Sequence, residues 1–65
     1  MDLNKLYGKK VNITAKNERT FRGTVSDYFL PDENPSGIES ILVDTDVGTT
    51  VEFYPEDIKT LKIEE

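Results

Sequence analysis

The sequence predicts an all-β fold, namely a small, strongly bent antiparallel barrel of five strands preceded by a short helix. Apolar and polar residues alternate through most of the chain, as in strands that bury one face. Turn-forming residues divide this alternating pattern into five short segments. Gly23 interrupts the second segment on its apolar side, where a sheet that curls onto itself needs a sharp bend.

The chain is 65 residues long and contains neither cysteine nor histidine. We expect residues 1–65 to form one domain, because this length suits a single small domain. Such a domain buries only about 60% of the surface that its unfolded chain exposes. No disulfide supports the thin core. The lack of cysteine and of an apolar leader predicts a soluble, cytoplasmic protein.

The first segment, DLNKLYG, predicts one or two helical turns. Leu3, Leu6 and Tyr7 have the i, i+3, i+4 spacing of one helix face. Asp2 is suited to begin the helix and Gly8 to end it. Because so short a helix is unstable alone, we expect its apolar face to dock on the barrel.

The segments KVNITAK and TFRGTVSDY predict the first hairpin, with a tight reversal at residues 17–19. Asn17 is the residue there that best tolerates a left-handed backbone. The residues predicted to face the core are Val11, Ile13 and Ala15 in the first strand and Phe21, Gly23 and Val25 in the second.

Residues 29–40, FLPDENPSGIES, predict the one long loop, because Pro31 and Pro35 prevent regular strand pairing. Two interpretations remain open for this loop. It is either a functional segment or a mobile tip that joins two long, twisted strands. We expect residues 31–37 to be the most mobile internal segment, since they have little to bury.

Three further segments, SILVDT, TTVEFY and KTLKIEE, predict the remaining strands. Asp44–Gly48 is suited to the turn between the first two, and Pro55–Asp57 to a short helical turn before the third. The residues predicted to face the core are Ile41, Val43, Val51, Phe53, Ile58, Leu61 and Ile63.

Taken together, the helix ending at Gly8 and the segments GKKVNITAK, RTFRGTVSDY and VEFYPEDIKTLKI resemble the Sm-like branch of the SH3-like barrels. The family has a glycine in its second strand, an aliphatic residue two positions on and an aromatic three further, which Gly23, Val25 and Tyr28 match. The chain also resembles small uncharacterised Firmicute proteins, which are bacterial, with this barrel pattern and an extended middle loop. The resemblance implies a helix followed by five bent strands.

The positions that bind RNA in Sm-like proteins differ in this chain. Phe29 stands where the family has an acid, and Asn34 lies in a lengthened loop. Tyr54-Pro55 replaces the Arg-Gly of Sm proteins, and Glu56 replaces the histidine of the bacterial Hfq motif. The resemblance therefore implies the fold without the uridine pocket, and no RNA-binding residue is carried over.

The net charge is −5, but it is unevenly distributed. Residues 1–22 hold six basic and two acidic residues, a net of +4, whereas residues 23–65 hold two basic and eleven acidic ones, a net of −9. Either the two portions neutralise each other across a sheet, or the basic portion binds a polyanion weakly. The candidate binding surface consists of Lys10, Lys16, Arg19 and Arg22, with Tyr28, Phe29 and Tyr54 as stacking surfaces.

Catalysis and metal binding find little support in the residue types present. Without cysteine or histidine, the common nucleophile–base pairs are missing. The acidic turn Asp44–Gly48 offers alternating carboxylates for calcium but lacks the later ligands of an EF-hand. We therefore expect no enzyme, no cofactor and no metal site.

The sequence favours a non-enzymatic binding or accessory module that takes an unknown protein partner, with no membrane role. Its edge strands are suited to pair with another chain, as in Sm-like rings, where the fourth and fifth strands of neighbouring subunits pair. These strands correspond here to Thr49–Tyr54 and Lys59–Glu64, so we expect a monomer or weak self-association through them. The alternative is a divergent Sm-like binder of RNA or single-stranded nucleic acid that uses the basic first hairpin.

Overall fold

The computed structural model describes residues 2–64, in which five antiparallel strands form one sheet. The strands are β1 (Lys10–Ala15), β2 (Thr20–Phe29), β3 (Ser40–Thr45), β4 (Thr50–Phe53) and β5 (Ile58–Glu64). They are ordered β4-β3-β2-β1-β5, so β2 lies at the centre and β4 and β5 each have one free edge in this sheet. The prediction of a small all-β fold with five antiparallel strands is confirmed.

The N-terminal helix is a 3₁₀ turn over Leu3–Leu6. Leu3 and Leu6 are buried, but Tyr7 is 63% exposed, so its expected place on the docked face is wrong. A 3₁₀ helix has three residues per turn, which aligns positions i and i+3 and leaves position i+4 off that face. Asp2 precedes the turn without a capping hydrogen bond from its side chain.

The first hairpin pairs Val11 with Gly23 and Ile13 with Phe21. The left-handed residue in its turn is Glu18, with φ of 71°, and not Asn17 as expected. The side-chain oxygen of Asn17 accepts a hydrogen bond of 3.0 Å from the backbone N–H of Arg19. This bond closes an Asx turn around Glu18.

Gly23 lies where β2 passes from its pairing with β1 to its pairing with β3. A Cβ atom at this position would lie 2.1 Å from the carbonyl oxygen of Asp44 and 2.7 Å from the Cα of Thr45. The glycine is therefore required by the close approach of the β3 backbone. The register between β2 and β3 shifts between Val25 and Asp27, which is typical of a bulge that bends a strand.

The core lies on the inner face of this bent sheet. Although β3 separates β2 from β4, the ring of Phe21 meets that of Phe53 edge-on, with centroids 5.2 Å apart. The buried core side chains are Leu3, Leu6, Val11, Ile13, Val25, Ile41, Val43, Phe53 and Ile58. Phe21, Tyr28, Val51 and Leu61 pack against them and are partly buried.

Ile63 was expected to face the core, but it is 46% exposed. It pairs with the fully buried Val11 on β1. Because β5 is an edge strand, Ile63 has a neighbouring strand on one side only. Its exposure leaves an apolar side chain beside a free strand edge.

The loop between β2 and β3 contains a 3₁₀ turn over Pro31–Glu33. The amide nitrogen of Asn34 donates to the carbonyl oxygen of Ile38 at 2.7 Å and to the hydroxyl of Ser40 at 2.9 Å. Ser40 is fully buried, and its hydroxyl donates to a carboxylate oxygen of Glu52 at 2.7 Å. The loop is thus joined by a hydrogen bond to Ser40 of β3, which in turn bonds to β4, while its mobility stays a prediction.

Within residues 2–64, none of the helices has the length and apolar character that crossing a membrane would require.

Candidate binding grooves beside the first hairpin

Two of the basic residues in the candidate binding surface are ion-paired with acids from the later part of the chain. The Lys10 ammonium lies 3.3 Å from a carboxylate oxygen of Asp46. Arg22 donates from Nε at 3.2 Å and from a terminal nitrogen at 2.9 Å to one carboxylate oxygen of Glu64. This hydrogen bonding and the charge of Glu64 raise the pKa of Arg22. Both pairs join the basic first portion of the chain to its acidic remainder.

Lys16 and Arg19 lie at opposite ends of the first turn and form no ion pair within the described residues 2–64. Both side chains are exposed. The backbone on each side of the turn is held, since the Lys16 N–H donates to the Asp57 carbonyl at 3.0 Å and the Ala15 N–H to the Arg19 carbonyl at 2.8 Å. The hairpin therefore presents two uncompensated cations on a fixed backbone.

Arg19 lies beside an open groove of about 550 Å³ between the start of β2 and the β3–β4 turn. We call it the Phe21 groove. The backbone N–H of Asp46 donates to the Arg22 carbonyl at 2.9 Å, which holds the turn against β2. The residues that line the Phe21 groove are Arg19, Thr20, Phe21, Arg22, Thr45, Asp46, Val47 and Thr49.

The apolar part of the Phe21 groove consists of Phe21 and Val47. Phe21 is partly buried and rests edge-on against Phe53. Val47 is 85% exposed at the tip of its turn, where Gly48 takes a φ of 89°. A valine side chain this exposed contributes little to the packing of the described residues, and it lines the groove.

Some polar side chains of the groove already form hydrogen bonds within the chain, and others are available to a ligand. The hydroxyls of Thr45 and Thr49 lie 2.6 Å apart and bond to each other. The Thr45 hydroxyl also donates to the Thr49 carbonyl at 3.1 Å. Polar recognition of a ligand therefore falls mainly to Arg19 and Thr20.

A second, smaller groove of about 310 Å³ lies on the other side of Phe21. It contains Lys16 together with Glu52 and Asp57, so its lining is more acidic than that of the Phe21 groove. Glu52 is already bound to Ser40, and the Asp57 carboxylate accepts the backbone N–H of Tyr54 at 3.0 Å. The acids here stabilise the chain's own loops.

The three aromatic residues of the predicted surface lie outside both grooves. Tyr28 and Phe29 end β2, and Tyr28 is roughly 20 Å along the strand from Arg22 at the usual rise per residue. The Tyr28 hydroxyl donates to Glu39 at 3.0 Å. Partial burial, followed by this contact with Glu39, raises the pKa of Tyr28. Tyr54 precedes the 3₁₀ turn before β5.

The aromatic residue that the structure places among the basic residues is Phe21, which sequence reasoning assigned to the core alone. Alternation predicts the side of the sheet on which Phe21 lies, but not how completely that side is covered. The sequence does contain one indication that Phe21 lies near basic side chains, because the stretch RTFR places it between Arg19 and Arg22. Val47 and Asp46 were missed because they lie far from this stretch in sequence.

The acidic turn considered for calcium has other contacts. Asp46 pairs with Lys10, and the Asp44 carboxylate accepts the Thr50 hydroxyl at 3.0 Å. Across residues 2–64, no three acidic side chains are grouped closely enough to hold a metal ion.

No protein-family model matches this chain, and neither a curated protein nor a solved structure matches it.

Proposed function

We propose that this protein is a small, non-enzymatic, cytoplasmic binding module that takes a segment of a partner protein in the Phe21 groove. The observation that carries this proposal is the juxtaposition of Phe21 and the exposed Val47 with Arg19, which has no ion-pair partner within residues 2–64. Aromatic residues and arginine are the types enriched in protein–protein interfaces.

The proposal includes an SH3-like barrel of the Sm-like type. The central, bent β2 and the Phe21–Phe53 contact across the sheet support this assignment. The resemblance in sequence supports it further, and it favours a bacterial source. In such a barrel the Phe21 groove lies between the β1–β2 and β3–β4 turns, which are free to vary without disturbing the core.

The chemistry of the groove favours binding over catalysis. Asp46, the only carboxylate that lines it within residues 2–64, is paired with Lys10, and the hydroxyls of Thr45 and Thr49 bond to each other. An activated nucleophile needs an adjacent base within hydrogen-bond reach. The groove's hydroxyl pair lacks such a base, so its contacts are suited to hold a ligand rather than transform it.

Site-specific photo-crosslinking in living cells tests this proposal. A benzophenone amino acid replaces Val47, which is exposed in the groove, or Lys5, whose side chain is 76% exposed on the N-terminal turn. We expect a discrete protein adduct from position 47 that is absent from position 5 and is lost when Arg19→Glu is added. Equal adducts from both positions, or none from position 47, would refute partner binding through this groove.

A second candidate function is the binding of single-stranded nucleic acid, which is favoured by Lys16 and Arg19 on either side of Phe21, since neither forms an ion pair in the described part of the chain. The net charge of −5 opposes it, because a polyanion is repelled at long range. We expect dissociation constants for a short oligouridine no tighter than the non-specific range of about 10⁻⁴–10⁻⁶ M. Fluorescence anisotropy at about 150 mM salt measures this. Submicromolar binding that is lost in Arg19→Glu or Tyr54→Ala would make nucleic acid the leading candidate.

Weak self-association through the edge strands forms part of the same proposal. The N–H of Ala15 and the carbonyl of Lys9 both bond toward β2. Because bonding alternates along an antiparallel strand, the even-numbered residues of β1 bond toward β5. The β5 residues paired with them are also even-numbered and bond back toward β1. The N–H groups of the odd-numbered Leu61 and Ile63 therefore face the free edge. These outward groups are available to another strand.

A further inference from the structure

We infer that the segment bound in the Phe21 groove is acidic and extended, with a carboxylate side chain next to an aliphatic or aromatic one. Arg19 binds the carboxylate, and Phe21 and Val47 receive the apolar side chain. This inference rests on the proposed function and names the chemistry of the partner.

The sign of the partner's charge follows from the ion pairs around the groove. Arg22 and Asp46 line it, but each is compensated from outside, by Glu64 and Lys10 respectively. Among the lining residues within positions 2–64, Arg19 contributes the remaining charge. The groove is thus locally positive on a chain of net charge −5. Complementary potentials across an interface select an anionic partner here.

The form of the anion is narrowed by the number of donors in the groove and by the charge of the chain. The planar guanidinium of arginine binds the oxygens of a carboxylate and of a phosphate alike. Because the Thr45 and Thr49 hydroxyls are bonded to each other, the groove within residues 2–64 offers mainly Arg19 and Thr20, which suits the two oxygens of a carboxylate better than the three of a phosphate. The long-range field of the acidic chain also disfavours a nucleic acid more than a peptide with one or two charges.

Contacts within the chain support the apolar part of the groove, which favours a side chain packed upon it. Phe53 supports the ring of Phe21 edge-on with centroids 5.2 Å apart. The bonds between Thr45 and Thr49 close the turn that carries Val47. Surfaces that are already ordered lose little conformational freedom on binding. The volume of about 550 Å³ lies within the range of ligand clefts, and its open form is suited to an extended segment.

Selection from a phage library of random 12-residue peptides tests this inference. The full chain is immobilised, and clones that also bind Val47→Asn, which removes the exposed apolar side chain of the groove without changing its charge, are removed. We expect the remaining clones to carry Asp or Glu within two residues of an aliphatic or aromatic residue. The affinity of a synthetic peptide from such a clone should fall about tenfold or more in Arg19→Gln, because hydrogen bonds to charged groups are the stronger ones.

The matched control is Lys9→Gln, which removes an exposed lysine that, like Arg19, has no ion pair within residues 2–64 and lies outside the groove. It should leave the affinity within about twofold, and Val47→Asp should lower it. Groove-dependent clones that are basic or uncharged would overturn the inference of an acidic partner, but they would agree with the proposed binding of a protein segment in the groove. A complete lack of groove-dependent clones would overturn both. Oligouridine that displaces the selected peptide at submicromolar concentration would overturn the inference in favour of RNA.

Discussion

Gly23→Ala tests the close approach of the β3 backbone to Gly23. The added Cβ would lie 2.1 Å from the Asp44 carbonyl oxygen, whereas ordinary contact begins at 3.4 Å. Strands β2 and β3 would have to separate by about 1 Å, which stretches a hydrogen bond of about 2.9 Å beyond its useful range. The obstruction is backbone, so no side chain can rotate away to relieve it.

The expected loss in the free energy of unfolding is at least about 3 kcal/mol, the upper end for overpacked sites. A chain of this length has a total stability of only about 3–10 kcal/mol. The melting temperature should therefore fall by about 12 °C or more. Urea and thermal denaturation, followed by far-ultraviolet circular dichroism, measure both quantities. If Gly23→Ala is unfolded in buffer, a stabilising osmolyte should restore the circular dichroism signal of its strands, and that result also agrees with the prediction.

Gly37→Ala is the matched control, because it adds the same methyl group in open space. Gly37 has a φ of 74° and no atom within 4 Å of an added Cβ. Its substitution costs only the left-handed strain of about 1–2 kcal/mol. Denaturation midpoints of Gly23→Ala equal to those of the wild type, or a smaller loss than in Gly37→Ala, would refute the steric argument.

Four further predictions concern other parts of the fold. Ser40→Ala should lower the free energy of unfolding by about 1–3 kcal/mol in urea titrations, because its buried hydroxyl donates one hydrogen bond and accepts another. Ile63→Pro should abolish any self-association seen by analytical ultracentrifugation and leave the fold intact, whereas Lys62→Pro, whose N–H faces β1, should unfold the edge. Because the pKa of Tyr28 is raised in the folded state, its contribution to the free energy of unfolding is fully present below pH 10.0 and should be lost as the pH rises through the folded-state pKa. Tyr28→Phe should remove this part of the fall in the free energy of unfolding at alkaline pH. Amide exchange by NMR should be fastest, among internal segments, in residues 31–37, and protected amides throughout would contradict this.

Much of the strand pattern is determined locally, and the sequence alone therefore predicts it. The segment SILVDT predicted a strand that the structure places at Ser40–Thr45, with Ile41 and Val43 buried. Gly23 was likewise predicted to lie at a bend or a close approach. Both predictions depend on the period of two along a strand and on the steric size of one residue. Neither requires knowledge of distant contacts.

Which side chains are covered was decided only by the tertiary structure. Tyr7 and Ile63 have apolar spacing but are exposed, because the first follows a 3₁₀ turn and the second lies on an edge strand. Ser40 is polar but buried, because Asn34 and Glu52 supply its hydrogen bonds. Alternation assigns a side chain to one face of a sheet, whereas its burial depends on what packs over that face.

The Phe21 groove illustrates the same limit for function. RTFR places an aromatic residue between two arginines, but the sequence does not tell which arginine is free. That distinction arises because Glu64 pairs with Arg22 from 42 residues away, while Arg19 remains unpaired within residues 2–64. Val47 joins Phe21 only because the Asp46 N–H bonds to β2. Charges and apolar groups distant in sequence decide the character of a surface, and the folded chain alone brings them together.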